Sequence, residues 1–435
     1  MKILILGSGG REHALAHTFF RQGHRVYCLP GNAGTDEICD AIPKQWGAIN
    51  ATHHNQITDL VKKLGVDLTV VGPENLLEGG IADAFAVQHL PLFGPTKKAT
   101  TLESSKAWSK QFMAKYQIPT ARFSLSKNLK EAHELANKNF TEWNGVVIKP
   151  SGLTGGKGVA VCQTLEEASD AIKEIMEENL YGKAGEEIVI EERLIGKELS
   201  ILAFCDGEKM IPMIPSQDHK RLYNNDKGPN TGGVGAYAPP PFADKLMTEI
   251  KETIIDRTNE GLKREGIIYK GVLFFGIILT ASGPKLLEYN CRFGDPEAQA
   301  VLPLLGSDLA RIMRSCLDGK LQDKDIIWSA KVSCCVVMVS GGYPNRFVTG
   351  QEIFGLNDLK GQRNCLVFHA GTVRNEGNHV VTSGGRVLGI TGIGNTLQEA
   401  IDMAYDGVKK ISFNQAYYRT DIAHQAFIEE RSKPK

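Results

Sequence analysis

The 435-residue sequence predicts an α/β protein that opens with a doubly wound parallel sheet. Three observations predict it. Short, largely apolar runs alternate with helical stretches through the first hundred residues, the pattern of a parallel sheet with helices on both faces. Glycine turns join strand to helix, beginning with Gly7-Ser8-Gly9-Gly10. Beyond Pro119 the alternation gives way to a smaller α+β unit, and from Trp328 to glycine-punctuated strands with one long helix. At about 150 residues per domain the length suggests three domains. The boundaries fall at 1–103, 104–327 and 328–435, with the smaller unit at about 120–192.

Ile3–Leu6 is a short apolar run and reads as a buried strand. A helix over Arg11–Gln22 follows, then strands at Arg25–Leu29 and Leu68–Val71. Leu92-Phe93-Gly94-Pro95 closes the region with a turn signal. One helix is expected over Ser104–Tyr116. The smaller unit has strands at Val146–Lys149, Val159–Cys162 and Ile188–Glu192, with a helix over Leu165–Met176. Strands return at Leu199–Phe204, Leu273–Leu279 and Lys285–Tyr289. The last unit reads as strands Val332–Val339, Cys365–Ala370 and Arg386–Gly394, followed by a helix over Thr396–Ile411.

Composition narrows the function classes. Fifty basic residues balance fifty acidic ones, so the basic excess usual in nucleic-acid binding is missing. The nine cysteines show no C-x-x-C spacing, which argues against a zinc ribbon and for buried small apolar residues. The first apolar run meets a glycine turn at once, unlike a signal peptide, and no stretch reaches the ~18 apolar residues of a membrane span. A cytoplasmic, membrane-free setting is expected, in which the sequons at Asn50 and Asn139 carry no glycan. His13 and His17, at i and i+4, lack a third ligand nearby in sequence.

Gly7-x-Gly9 after a strand invites a dinucleotide-binding reading, but Glu12 stands where a third glycine is needed. The second strand ends Leu29-Pro30-Gly31-Asn32, without the acid that would hold a ribose. The loop suits a phosphate-bearing small molecule instead, with helix N–H groups and Arg11 facing it. The alternative is a tight turn that binds nothing.

The segment from Lys106 to Arg292 carries the strongest chemical signal. Transfer of a γ-phosphoryl group to a carboxylate needs lysines, a mobile glycine loop and magnesium on oxygen ligands. Lys149 ends a strand, and Lys157 lies in Gly152-Leu153-Thr154-Gly155-Gly156-Lys157-Gly158, whose spacing is not that of a Walker loop. The backbone of Ile188–Leu194 suits an adenine edge and Glu198 ribose hydroxyls; an edge strand with solvated acids is the other reading. Glu288 and Asn290 share one face of a strand, as two magnesium ligands should, and Arg292 continues that face as a fork for carboxylate or phosphate. A buried ion pair is the alternative there. Ser216-Gln217-Asp218-His219-Lys220-Arg221 and Gly228-Pro229-Asn230-Thr231-Gly232-Gly233 show no periodicity and read as functional loops. In them Asp218 would receive an ammonium group, and Lys220 and Arg221 a phosphate.

These strings, with Gly9–Leu15, Pro30–Gly34, Val71–Glu74, Ser105-Lys106, Asn290–Glu297, Gly341–Pro344, Phe368–Thr372 and Gly384–Leu388, resemble the phosphoribosylamine–glycine ligase family of the ATP-grasp superfamily. The resemblance spans nearly the whole chain. It implies an ATP-grasp core whose lid is the unit at 120–192, and ligation of glycine to 5-phosphoribosylamine at the expense of ATP. It further implies magnesium, or manganese, on Glu288 and Asn290, and ATP at Lys106, Lys149, Gly155, Gly156, Lys157, Glu191, Leu194 and Glu198. Gly9, Gly10, Arg11, Asn32 and Glu74 match the sugar-phosphate side. Ser216, Asp218, Lys220, Arg221, Asn230, Thr231, Gly232, Arg292 and Gly294 complete the substrate set, with Lys157, Arg292 and Asp218 as the catalytic residues. A monofunctional monomer with no macromolecular partner is expected. Pro150-Ser151, Leu76 and Val234 depart from the family pattern, and Pro150 removes an N–H at the start of the lid loop. The competing readings are a related ligase with another acceptor, and an ATP-binding regulatory protein on a spent scaffold.

Overall fold

The computed structural model describes residues 1–43, 53–156 and 158–428; Lys157 and the sequon at Asn50 lie outside them. The first sheet is parallel, in the order β2-β1-β3-β4. Its strands are β1 (Lys2–Gly7), β2 (Arg25–Pro30), β3 (Leu68–Val71) and β4 (Leu92–Phe93). Between them run α1 (Gly10–Arg21), α2 (His54–Leu64), α3 (Glu74–Glu78) and α4 (Ile81–Val87). The inner strands are apolar because helices cover both faces. Gly72 follows β3, and a Cβ there would collide with the Glu12 carboxylate. Gly72→Ala is expected to cost about 1–3 kcal/mol, as overpacking does, read as a lower midpoint of urea unfolding.

The helix expected over Ser104–Tyr116 is α6 (Lys106–Lys115), and a further helix not expected from the sequence, α5 (Lys97–Ser104), runs up to it. Ser105 breaks the run by adopting an extended backbone, and its hydroxyl caps α6 by accepting from Trp108 N. The lid sheet follows, antiparallel in the order β5-β8-β6-β7. It comprises β5 (Phe123–Ser126), β6 (Val146–Pro150), β7 (Ala160–Cys162) and β8 (Ile188–Glu192), with α7 (Leu129–Trp143) and α8 (Leu165–Ile172) packed on one face.

The central sheet is antiparallel, β10-β9-β15-β16. Its strands are β9 (Lys197–Asp206), β10 (Met210–Pro212), β15 (Lys270–Thr280) and β16 (Gly283–Asn290). The stretch expected to lack regular structure carries β11 (Gln217–Asp218), the ribbon β12 (Arg221–Tyr223) with β13 (Lys227–Asn230), and then β14 (Gly235–Ala238). Helices α9 (Met247–Ile250) and α10 (Asp256–Arg264) precede β15, and α11 (Glu297–Val301) and α12 (Leu309–Leu317) follow β16.

The remaining strands are β17 (Val332–Val339), β18 (Cys365–His369), the ribbon β19 (Thr372–Arg374) with β20 (Val380–Thr382), and β21 (Arg386–Gly394), covered by α13 (Leu397–Lys410). Three of them, with two strands from before residue 240, form an antiparallel sheet in the order β11-β14-β17-β21-β18. Helix α1 packs against its edge. There His13 Nδ1 accepts from His369 N at 2.8 Å, and burial pulls the imidazole well below its usual range, so the His13 ring serves this contact as a neutral acceptor. All nine cysteines are free, and all but Cys39 are buried. Among the described residues no helix is long and apolar enough to cross a membrane.

Candidate active site

Residues of the lid, central and C-terminal sheets, with Arg11 of α1 and Glu74 of α3, line one cleft of about 630 Å³. On the lid side, β6 delivers Lys149 and then enters the glycine loop. Gly155 and Gly156 hold left-handed φ values of +61° and +78°, and an added Cβ would meet nothing within 4 Å. Backbone conformation rather than crowding therefore requires glycine there. The loop is anchored at its start: Lys106 Nζ donates to Gly152 O at 3.0 Å and Ala107 N to Ser151 Oγ at 3.1 Å. Lys106 N also donates to Ser151 O at 2.7 Å, so the Ser151 hydroxyl adds one side-chain tie to those that the backbone and Lys106 make between the lid loop and α6.

Lys149 Nζ lies 3.0 Å from Glu191 Oε1, and Lys110 Nζ lies 3.1 Å from Glu191 Oε2. Burial opposes the charge on Glu191, but the two ammonium groups hold its carboxyl below the usual range. Leu194 and Glu198, further along, also line the cleft.

The opposite wall is β16. Gly276 faces Glu288 while Ile277 faces Leu286, so Leu287 is the extra residue of a bulge. The bulge re-aims the strand's end, and Glu288 and Asn290 both line the cleft. Burial disfavours the Glu288 charge, yet Lys220, Lys149, Lys106 and Arg292 keep its carboxyl below the usual range. No cluster of three or more His, Cys, Asp or Glu suited to a metal occurs among the described residues. A cation held by Glu288 and Asn290 would take its other ligands from phosphate and water, which fits magnesium.

Arg292 sits just beyond β16. Its Nε pairs with Glu74 Oε2 at 3.1 Å, its Nη2 lies 3.6 Å from Glu103 Oε1, and the same nitrogen reaches Asn290 Oδ1 at 3.4 Å. Burial pushes Glu103 up to about 7 despite that arginine. Asp218 and Lys220 stand on the other side, with Lys220 Nζ 2.9 Å from Glu198 Oε2. Burial, with Glu297, Glu198 and Glu288 nearby, raises Asp218 to about 8 against the pull of Lys220. Thr231 Oγ1 donates to Lys220 O at 2.8 Å, and Arg221 Nη1 to Gly228 O at 2.7 Å, which ties the two substrate loops together.

Most of the expected site residues therefore meet in the cleft, including Arg11, Glu74, Lys106, Arg221, Asn230, Thr231 and Gly232. Gly9, Gly10, Asn32, Ser216 and Gly294 are not among its lining residues. The Gly9 N–H donates to the Glu12 carboxylate, Asn32 Nδ2 donates to Ser8 O and His369 O, and Ser216 is tied to Ser200 by its backbone. Lys110, Glu103, Glu297 and Arg386 line the cleft, and the sequence reading assigns them no role. For Lys110 a signal exists: it lies four residues after Lys106, on the same helix face.

A glycine-loop lid facing an antiparallel sheet across a lysine-rich cleft is the architecture of an ATP-grasp enzyme. Family models of the phosphoribosylglycinamide synthetase N domain, ATP-grasp (A) domain and C domain match residues 1–103, 104–298 and 333–425. The chain belongs to this phosphoribosylglycinamide synthetase family and has its three-domain architecture. It is 43% identical to the phosphoribosylamine–glycine ligase of Caldanaerobacter subterraneus, over 97% of this chain and 99% of that one. It is 44% identical to the trifunctional purine biosynthetic protein adenosine-3 of Gallus gallus, over 98% of this chain and 42% of that one. Among solved structures, the phosphoribosylamine–glycine ligase of Thermotoga maritima is similar with a TM-score of 0.81 and 32% identity, covering 97% of this chain and all of that one. A biotin carboxylase domain from Hydrogenobacter thermophilus, at 16% identity and TM-score 0.73, shares the fold.

Proposed function

We propose that the chain ligates glycine to 5-phosphoribosylamine with conversion of ATP to ADP and phosphate, giving glycinamide ribonucleotide. The observation that carries this reading is the meeting, in one cleft, of Lys149 of the lid, Lys106 of α6, the Glu288–Asn290 face and the Asp218–Lys220 loop, in a chain of this family.

The glycine carboxylate attacks the γ-phosphorus, forming an O–P bond as the bond to ADP breaks. The amine of phosphoribosylamine then attacks the carbonyl carbon of glycyl phosphate; the amide C–N bond forms, inorganic phosphate leaves and the amine gives up a proton. Magnesium or manganese, when bound at Glu288 and Asn290, neutralises charge on the phosphates. The polyphosphate falls to Lys106, Lys149 and Lys157, the adenine to Leu194 and the β8 backbone, and the ribose to Glu198. Asp218 receives the glycine ammonium, and Arg292 holds its carboxylate or the acyl phosphate. Arg11, Glu74, Lys220, Arg221 and the 230–232 loop receive the sugar phosphate, with Gly9, Gly10, Asn32, Ser216 and Gly294 shaping the loops behind them. The lid excludes water, which would hydrolyse the intermediate. We place the reaction in a cytoplasmic monomer divided at residues 103 and 327, acting on small molecules; the balance of fifty basic and fifty acidic residues lacks the basic excess usual in nucleic-acid binding.

The test is ADP release from ATP and magnesium with glycine and phosphoribosylamine each omitted in turn. Turnover that needs both supports the proposal; equal turnover without either amine or acid removes it. A pH dependence also follows. With Asp218 near 8 in the free protein, its carboxylate form grows as pH rises. The value of kcat/KM for glycine is expected to increase from pH 6 toward 9, and Asp218→Asn to flatten that limb. A profile identical in the variant would take Asp218 out of the ammonium site.

A further inference from the structure

Lys110 lies on α6, one turn beyond Lys106, and its side chain is only 3% exposed. Two of its three donor positions are already engaged, one by Glu191 Oε2 at 3.1 Å and one by Thr120 Oγ1 at 2.7 Å. Thr120 Oγ1 in turn donates to Leu286 O at 2.6 Å, two residues before Glu288 on β16. The far oxygen of Glu191 holds Lys149. One unbroken chain of polar contacts therefore runs from the strand bearing Glu288, through Thr120, Lys110 and Glu191, to Lys149 on the lid.

The position of that chain is as telling as its continuity. The backbone enters the lid sheet at Phe123, just after Thr120, and leaves it at Glu192, just after Glu191. Thr120 is bridged to Leu286 of the central sheet, and Glu192 N donates to Arg122 O at 2.9 Å across the two crossings. The polar chain thus passes through the joint between lid and body.

We infer that Lys110 is a positioning residue, the pin of this joint, which sets the charge and place of the Lys149 ammonium by sharing the Glu191 carboxylate with it. Two ammonium groups against one carboxylate leave one net positive charge at the cleft. With Lys110 neutral, Glu191 pairs with Lys149 alone, the local charge falls to zero, and the pull on a polyphosphate falls with it. Lys110 itself has little surface left to meet a ligand, so its effect passes through Glu191. The inference rests on the nucleotide reading of the cleft.

The experiment is calorimetric titration of the full chain with ADP and, separately, with adenosine, both in magnesium, for wild type and Lys110→Met. Methionine keeps the length and removes the charge. ADP affinity is expected to fall by about tenfold or more, as when one partner of a buried hydrogen-bonded pair is lost, while adenosine affinity stays within about twofold. Equal losses for both ligands would show a collapsed joint and overturn the inference, as would unchanged ADP affinity. Thr120→Val, which keeps every charge but cuts the link to Leu286, is expected to weaken ADP in the same direction. If Lys110→Met does not fold, an unchanged Thr120→Val overturns the inference. Wild-type protein that binds no ADP would bring down the nucleotide reading itself, and the inference with it.

Discussion

Arg292→Ala is expected to lower kcat/KM by at least ~10²-fold, the scale for losing one charge partner of a transition state. The guanidinium is placed against Glu74, Glu103 and Asn290 together. Burial works against its charge, but Glu103 and Glu74 more than offset this and hold it protonated. Its removal takes from Glu74 and the buried Glu103 the counter-charge they share, so thermal stability is expected to drop as well. Arg292→Lys separates the two effects. A lysine restores a charge near the carboxylates but not the planar fork, so stability should recover more than turnover. Wild-type steady-state kinetics in Arg292→Ala would take the residue out of the reaction.

Glu288→Gln is the second large effect. It keeps the shape of the side chain and removes the carboxylate that the bulged end of β16 presents to the cleft beside Asn290. The magnesium concentration giving half-maximal turnover is expected to rise by about 10- to 100-fold, which loss of a residue behind a metal ligand already costs. ATP held at saturating magnesium should restore part of the rate. A magnesium titration superimposable on wild type would sink the ligand assignment.

Much of this molecule is legible in its sequence. Largely apolar runs such as Leu68–Val71, broken only by Thr69, and Val332–Val339, broken only by Ser333, are strands with those bounds, because burial on both faces leaves little room for polar residues. The Glu288–Asn290 face can be read from period-two geometry alone. The helix α5 cannot, because its eight residues Lys97–Ser104 are too short to show a clear helical period, and its own cap at Thr96 is seen only once the hydroxyl accepts from Ala99 N. The bulge at Leu287 is hidden for a similar reason: an extra residue shows only against the partner strand.

The sequence by itself determined the long apolar strands of each sheet, which loops must be glycine, and which charged residues have no place in a core unless they serve a site; the short strands β5, β10 to β14, β19 and β20 it did not show. Only the tertiary structure decided which strands pair. It sent β11 and β14 into the C-terminal sheet rather than the central one, brought Glu74 from the first domain onto Arg292, and set Lys110 against Glu191 across the joint of the lid. The physical reason is the range of the forces involved. Periodicity and turn chemistry act over a few neighbouring residues, whereas partner choice depends on surfaces that meet only after the chain has closed loops of roughly one to two hundred residues.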